Sequence, residues 1–234
     1  MDPGRFVDAV ASLDADVIGL QEVDEGQPRT DRVSITSLAV EAMGATDHRF
    51  VPALLGTPGR TWSAAKDAEP ESVPAYGIAL LSRYPVLAWQ VVRLPGAPAR
   101  VPYRLHGQRL QWVRDEPRVA VLALVDSPHG ELWVANTHLS FLPMWNRLQL
   151  RLLLRTVTRL PEPVVLMGDL NMPRRTAERL SGMRSLATGL TFPADRPTSQ
   201  IDHLLVRGPQ TATSGGPVHL TISDHRALLV EVAP

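Results

Sequence analysis

The sequence has 234 residues, of which 44% are apolar and 21% charged, and its formal net charge is zero. This composition is ordinary for a globular chain with a large core, and the neutral total argues against a dedicated duplex-DNA-binding domain. Because there is no cysteine, disulfides, thiolate metal sites and cysteine nucleophiles are excluded. Any metal must therefore be held by oxygen or imidazole ligands.

The first residues carry neither a basic n-region nor an apolar h-region, and no run approaches the roughly 18 apolar residues of a membrane span. We therefore expect no signal peptide, no transmembrane segment and a cytoplasmic protein. No repeat of fixed period and no separating linker is visible, so residues 1–234 are predicted to form a single domain, which we expect to be a monomer.

Periodic apolar patterns predict four helices and nine strands. The first helix is predicted directly after Asp2, which caps it, and the second covers residues 31–43. The third follows the arginines from Arg147 to Arg159, and the fourth starts at Arg174. The strands are predicted at residues 16–24, 49–55, 76–83, 86–94, 118–126, 131–138, 164–167, 201–206 and 226–232. The arginines of the third helix recur every four residues and are expected to form its solvated face.

Turn residues predict how some of these strands connect. Tyr84-Pro85 is expected to close a hairpin between the strands on either side of it, and residues 127–130 to close an antiparallel pair. Residues 56–75, 188–199 and 207–217 are rich in Gly, Pro, Ser or Thr and are expected to be loops. The long segment 95–117 is expected to be a loop that faces substrate, because long loops in compact domains tend to be functional or disordered.

The segment Val164–Pro173 carries the strongest local signal for function. Four apolar residues end at Gly168, and Asp169 and Asn171 follow two residues apart. In extended chain, residues i and i+2 point to the same side, so both polar groups are expected to face one cleft. Such a pair can orient a water molecule and a phosphate oxygen, although a strand followed by an Asx turn is an equally simple interpretation.

Five polar sites share this placement at the end of an apolar strand. They are Glu22, Asn136 with His138, Asp169 with Asn171, Asp202 with His203, and Asp224 with His225. Single acidic residues are common at strand ends, but five such sites with four carboxylates and at least two imidazoles indicate a shared function. Their convergence on one cleft is a hypothesis, since sequence separation does not give spatial distance.

The residues around these sites resemble a known family. Leu20-Gln21-Glu22-Val23, Asn136-Thr137-His138-Leu139, Gly168-Asp169-Leu170-Asn171, Ile201-Asp202-His203 and Ser223-Asp224-His225 match, in order, the motifs of the endonuclease/exonuclease/phosphatase superfamily. That superfamily includes deoxyribonuclease I, sphingomyelinases, inositol polyphosphate 5-phosphatases and abasic-site endonucleases. The resemblance implies an α/β fold, a four-layer sandwich of two packed mixed β-sheets flanked by helices.

The resemblance also implies metal-dependent hydrolysis of a phosphate ester, with Mg²⁺ or else Mn²⁺ as cofactor. Glu22 and Asp224 resemble the metal ligands, and carboxylate oxygens suit a hard cation. Asp169 resembles the residue that orients and deprotonates the attacking water, with Asn171 holding water or a phosphate oxygen.

Four further residues complete the predicted site. Asp202 and His225 resemble a carboxylate–imidazole pair, in which the carboxylate fixes the tautomer and stabilises the imidazolium. His138 would donate to phosphate or protonate the leaving group. Asn136 and Arg118 are candidate phosphate-binding residues, although Arg118 could equally be solvated. His203 points to the opposite face from Asp202 and is predicted to be structural.

One departure from the family is visible. The family's first strand normally ends in an Asn near the metal or phosphate, upstream of the helix that precedes Glu22, and this sequence begins with that helix. We therefore expect an N-terminally truncated domain that lacks its first strand. Either the recorded start is misplaced, which we favour, or the chain is a truncated paralogue.

The motifs also rank the substrates. Inositol 5-phosphatases usually carry Trp-Cys-Asp-Arg where this chain has residues 200–203, and abasic-site enzymes typically lack the Thr-His-Leu of residues 137–139. Once these two branches are ranked down, the motifs favour a phosphodiesterase that resembles deoxyribonuclease or sphingomyelinase. Its substrate would be nucleic acid or a phospholipid headgroup. The alternative is a degenerate, non-catalytic member that binds a phosphorylated ligand.

Overall fold

The computed structural model describes residues 2–66, 73–103 and 110–233. Its helices are α1 (Pro3–Ser12), α2 (Ile35–Met43), α3 (Pro143–Val157) and α4 (Arg174–Ser181), with a 3₁₀ turn at Pro28–Thr30. Its strands are β1 (Val17–Glu25), β2 (Asp47–Gly56), β3 (Trp62–Ala64), β4 (Ala75–Ser82), β5 (Val86–Leu94), β6 (Val101–Tyr103), β7 (Gln111–Val113), β8 (Arg118–Ser127), β9 (Gly130–His138), β10 (Val164–Asp169), β11 (Arg184–Ser185), β12 (Asp202–Arg207), β13 (Ala212–Val218) and β14 (Ala227–Val232).

Two large sheets organise the molecule. The first has the order β1-β4-β2-β3 and is antiparallel throughout. The second has the order β11-β12-β10-β9-β8-β5 and is mixed, because β9 and β10 run parallel. The predicted sandwich is confirmed, although only the second of its two main sheets is mixed.

The pattern of buried residues explains the four layers. Along β8, Val119, Val121 and Ala123 face the first sheet, whereas Ala120 and Leu122 face α3 and α4. This alternation follows from the two-residue period of a strand that is buried on both faces. On the far side, α1 and α2 pack their apolar stripes on the first sheet in a third cluster. The layers are therefore helices, sheet, sheet, helices.

The cap predicted for the first helix is confirmed, whereas the second helix starts at Ile35 and not at residue 31. The side chain of Asp2 accepts hydrogen bonds from the backbone N–H groups of Gly4 and Arg5, with Pro3 in the first turn of α1. Ser34 caps α2 in the same way, and Gly44 ends it at φ +68°, a left-handed conformation that favours glycine. The antiparallel pair β8–β9 and its predicted turn are also confirmed.

The predicted hairpin around Tyr84-Pro85 is wrong. β4 pairs with β1 and β2 in the first sheet, whereas β5 pairs with β8 in the second. All eight residues of β4 are buried, and both of its edges are already occupied. Tyr84-Pro85 therefore connects a strand of one sheet to a strand of the other. The sequence shows two neighbouring strands with a turn between them, and this pattern is the same for a hairpin and for such a crossing.

Three of the predicted loops contain short strands. Segment 56–75 includes β3, segment 95–117 includes the β6–β7 ribbon, and segment 207–217 overlaps β13, which pairs with β14 in a separate two-stranded sheet. Parts of the first two loops, residues 67–72 and 104–109, lie outside the described residues. Among the described residues, no helix is long and apolar enough to cross a membrane.

Candidate active site

The site is built at the end of β10, where the chain needs an unusual conformation. Gly168 has φ +128°, and a Cβ at this position would collide with the carbonyl oxygen of Thr137 on the neighbouring strand. Only glycine fits, because an L side chain rarely adopts this φ and has no space here. Gly168 thus lets β10 approach β9 and places Asp169 directly opposite His138.

The carboxylate of Asp169 is held by the residue that follows two positions later. It accepts hydrogen bonds from the backbone N–H of Asn171 at 2.7 Å and from the Asn171 side-chain amide at 3.1 Å. Asn171 has φ +50°, so the chain turns back and is not extended as the sequence analysis assumed. The same amide also donates to the carbonyl oxygen of Leu139 at 3.0 Å, which fixes the loop.

Asp202 and His225 form the predicted carboxylate–imidazole contact. Nδ1 of His225 lies 2.9 Å from Oδ2 of Asp202, and the ring of Phe192 packs against the imidazole at a centroid distance of 4.7 Å. Asp202 lies opposite Asp169 in the β10–β12 ladder. One ligand atom from each of Asp169, Asp202 and His225 lies within 4.8 Å of the others.

His138 and Arg118 line the other side of Asp169. Nε2 of His138 lies 3.5 Å from Oδ2 of Asp169, and Nη1 of Arg118 lies 3.2 Å from Nδ1 of His138. Both side chains are buried. The Nε of Arg118 is buried and has no hydrogen-bond partner among the described residues. A buried guanidinium N–H without an acceptor lowers the stability of the fold. Such a group is expected where a bound anion would supply the acceptor.

Burial and neighbouring charges shift three pKa values in this cluster. Burial, together with the charge of Asp202, raises the pKa of Asp169. Burial, together with the positive charges of Arg118 and His225, lowers the pKa of His138 well below its usual value. Burial alone would lower the pKa of His225, but its hydrogen bond to Asp202 and that carboxylate's charge raise it to about 9. At neutral pH His225 is therefore the protonated imidazole and His138 the neutral one.

The structure does not bring the two expected metal ligands into this cluster. Glu22 is exposed and lies in a bulge of β1 at φ +56°, and Asp224 is exposed next to His225. Burial raises the pKa of the Tyr76 hydroxyl, and the charge of Glu22 raises it further, so Glu22 lies near Tyr76. Tyr76 in turn lines a small cavity with Arg118 and His138. Glu22 therefore lies towards the rim of the site, and its role as a ligand remains a prediction.

Asn136 has a structural position. Its side chain is fully buried, and its amide donates to the carbonyl oxygens of Leu20 at 2.9 Å and Ala79 at 2.8 Å. Its carbonyl oxygen accepts from the side chain of Gln21 at 2.7 Å. These bonds join β9 of the second sheet to β1 and β4 of the first. A contact between this amide and phosphate would require them to break.

Sequence reasoning missed Tyr76 as a residue near the site. It is the second residue of a fully buried strand, so its sequence context indicates only core packing. In the structure its ring lies under the guanidinium of Arg29, 5.7 Å from the centroid, and Arg29 forms a two-point salt bridge with Asp24. His203 is buried, with Nε2 2.8 Å from the carbonyl oxygen of Met172, in agreement with its predicted structural role.

The donor set of the cluster fits a hard divalent cation. Asp169 and Asp202 offer carboxylate oxygens, His225 offers a nitrogen only when it is unprotonated, and the chain has no cysteine, which suits Mg²⁺ or Mn²⁺ better than a soft metal. Burial and the charge of Asp202 both raise the pKa of Asp169, and a cation near the two carboxylates would offset their repulsion.

Comparisons with known proteins agree with the fold. Residues 1–225 match the Endonuclease/Exonuclease/phosphatase family. A search of curated protein sequences gives no match. Among solved structures, an endonuclease/exonuclease/phosphatase from Beutenbergia cavernae is 20% identical with a TM-score of 0.66, and the match covers 99% of this chain and 66% of that one.

Two further structures have the same architecture. A mannosyl-6-phosphatase from Bacteroides thetaiotaomicron is 16% identical with a TM-score of 0.69, covering 99% of this chain and 91% of that one. A humanised TDP2 from D. rerio is 14% identical with a TM-score of 0.62, covering 100% and 94%. At these identities the likeness establishes the fold, and the family match over most of the chain establishes membership. The chain belongs to the endonuclease/exonuclease/phosphatase family.

Proposed function

We propose that this chain is a divalent-metal-dependent phosphoesterase that hydrolyses phosphodiesters. The observation that carries the proposal is the cluster of Asp169, Asp202 and His225 beside His138 and Arg118 at the ends of adjacent strands. Two carboxylates, two imidazoles with opposite pKa shifts and a buried guanidinium are the groups that phosphoryl transfer to water requires.

Each residue has a role that its contacts support. Asp169, oriented by Asn171, would accept the proton of the attacking water and aim its oxygen at phosphorus, provided that a nearby cation offsets the burial and the Asp202 charge that raise its pKa. Asp202 fixes the ring of His225 and keeps it protonated, so that His225 can donate to a phosphate oxygen. Arg118 would bind a second phosphate oxygen through its free Nε, and the neutral His138 can donate one N–H bond.

Mg²⁺ or Mn²⁺, with Glu22 and Asp224 as candidate carboxylate ligands beside the cluster, would supply charge neutralisation at phosphorus. In this arrangement the chain's own residues orient the water and the phosphate. They also exclude bulk solvent, since Asp169 and His138 are each only 6% exposed.

Hydrolysis of bis-p-nitrophenyl phosphate and of p-nitrophenyl phosphate, with Mg²⁺, with Mn²⁺ and with EDTA, tests this proposal. We expect metal-dependent turnover with the diester preferred. Asp169→Asn and His225→Ala should each lower kcat by at least about 100-fold, because each removes a proton-transfer group. Asp126→Asn and His129→Ala are matched controls, since both residues are exposed near the β8–β9 turn. Undiminished turnover in Asp169→Asn would contradict the assigned site.

The natural substrate class follows from a second panel of single-stranded DNA, double-stranded DNA, sphingomyelin and a phosphomonoester. The exposed position of Glu22 outside the cluster favours one other candidate, a non-catalytic member that binds a phosphorylated ligand. A folded protein whose melting temperature rises with bis-p-nitrophenyl phosphate, but which turns over nothing in either panel, would support that candidate.

A further inference from the structure

Helix α3 presents an unusual surface to solvent. Arg147, Arg151 and Arg155 recur every four residues along it, and Arg159 follows in the turn directly after its end. All four are exposed. Within residues 2–66, 73–103 and 110–233, no carboxylate forms a salt bridge with any of them. We refer to these four residues as the arginine stripe.

The stripe does not serve the stability of its own helix. Like charges four residues apart face each other on a helix and repel, and α3 contains no acidic residue that would offset them. A helix face selected only for solubility normally mixes both signs of charge. This face therefore fits an external anionic partner.

Apolar side chains lie within the same arc. With 100° per residue, Met144 and Leu148 project between the directions of Arg147 and Arg159 around the helix axis. Met144 is 83% exposed and Leu148 is 37% exposed. The main apolar face of α3 packs in the protein core, so the exposed arc differs from a free amphipathic helix, but its arginines can contact anionic headgroups while Met144 and Leu148 enter the acyl boundary.

The stripe also begins next to the proposed active site. Asn146, one residue before Arg147, donates a hydrogen bond to the backbone carbonyl of Asn171 at 2.7 Å. α3 itself starts five residues after His138, so the N-terminal end of the helix lies near the site, although Asn146 is buried on the face away from the stripe.

We propose that the arginine stripe, with Met144 and Leu148, docks this protein on a membrane surface rich in anionic phospholipid. Nucleic acid would also satisfy the arginines, but its phosphates gain nothing from exposed aliphatic residues, so the lipid surface accounts for more of the face. The chain's net charge is zero, so binding must come from this local patch and not from overall charge. The inference does not depend on hydrolysis and has a separate readout.

Co-sedimentation with vesicles of phosphatidylcholine alone and of phosphatidylcholine with phosphatidylglycerol tests the proposal. We expect binding only to the anionic vesicles, and its loss at high salt. Arg151→Gln with Arg155→Gln should weaken binding about 25-fold, since each arginine near an anionic surface contributes about fivefold. Arg32→Gln with Arg60→Gln, two exposed arginines beside the first sheet, is the control of equal charge change and should bind as the unmodified protein does.

Met144→Ser tests the apolar contribution and should weaken vesicle binding several-fold without changing the melting temperature, because Met144 is almost fully exposed. Three results would overturn the proposal. One is no binding to anionic vesicles, and another is an equal loss in the stripe and control pairs. The third is retention of single-stranded DNA, but not of vesicles, that depends on the stripe, which would assign nucleic acid as the partner.

Discussion

His225 and His138 illustrate how the same side chain acquires two states within one site. His225 has a carboxylate on its Nδ1 and is partly open to solvent, whereas His138 is buried between Asp169 and Arg118. The sequence identified both residues by their motifs. The resemblance already paired His225 with Asp202, which stabilises the imidazolium, but it could not show that His138 is neutral, because this depends on burial and on the charges of Arg118 and His225.

The pKa of His225 gives a pH prediction for the metal-free protein. A folded-state pKa of about 9, above the unfolded value of about 6.5, stabilises the fold fully below pH 6.5. This contribution is lost as the pH rises through 9. We expect the melting temperature in EDTA to fall between pH 6.5 and 9, and His225→Gln to flatten that part of the profile. Identical profiles for the two proteins would contradict the assigned pair.

Arg118→Gln is expected to weaken substrate binding. The change removes the buried cation whose Nε has no partner among the described residues, so KM for bis-p-nitrophenyl phosphate should rise about tenfold or more. His138, relieved of a neighbouring positive charge, should titrate at higher pH. Arg100→Gln, at an exposed position, serves as the control. An unchanged KM in Arg118→Gln would remove Arg118 from the phosphate site.

At the scale of the elements, apolar periodicity predicted the helices and strands whose positions are determined by burial. The helices and most strands appear where apolar spacing places them, since each buries one face or both against a neighbouring layer. The pairing of strands was harder to predict, because β4 and β5 are adjacent in sequence but belong to different sheets. β13 was missed because its Thr, Ser and Gly residues resemble a loop, and it forms a strand through its ladder with β14.

Asn136 gives a prediction about the joining of the two sheets. Asn136→Leu would leave the carbonyl oxygens of Leu20 and Ala79 and the amide of Gln21 without their partner, so the free energy of unfolding should fall by about 3 kcal/mol. Gln21→Leu should cost less, and the double variant should cost less than the sum, because the two residues share a hydrogen bond. Additive losses in urea denaturation would show that the contact does not stabilise the fold.

At the scale of the whole molecule, β1 ends the four-stranded sheet, with β4 as its only partner strand among residues 2–66, 73–103 and 110–233. An edge strand leaves one row of backbone N–H and C=O groups without a ladder. The additional strand that the family resemblance implies stays a prediction, and this edge of β1 is where it would pair.

A chain carrying an added upstream strand with an Asn tests this prediction, and we expect it to be more stable and more active. New ladder hydrogen bonds would cover the edge of β1, and the Asn would add a polar group near Glu22. Differential scanning calorimetry and diester turnover on both chains measure the effect. The same extension with proline at alternate positions, which cannot form a ladder, is the control. Equal melting temperatures would exclude a pairing strand.

Asn136 and His138 lie two positions apart on β9, so the residue that fastens the first sheet and the residue that contacts Asp169 project to the same side of one strand. A fluctuation that separated the sheets would break the Asn136 bonds and admit water to His138, although its contact with Asp169 joins two strands of one sheet. Water would then weaken the burial and the charge interactions that shift the pKa values of His138 and Asp169, so the site keeps its electrostatic character only while the sandwich is closed.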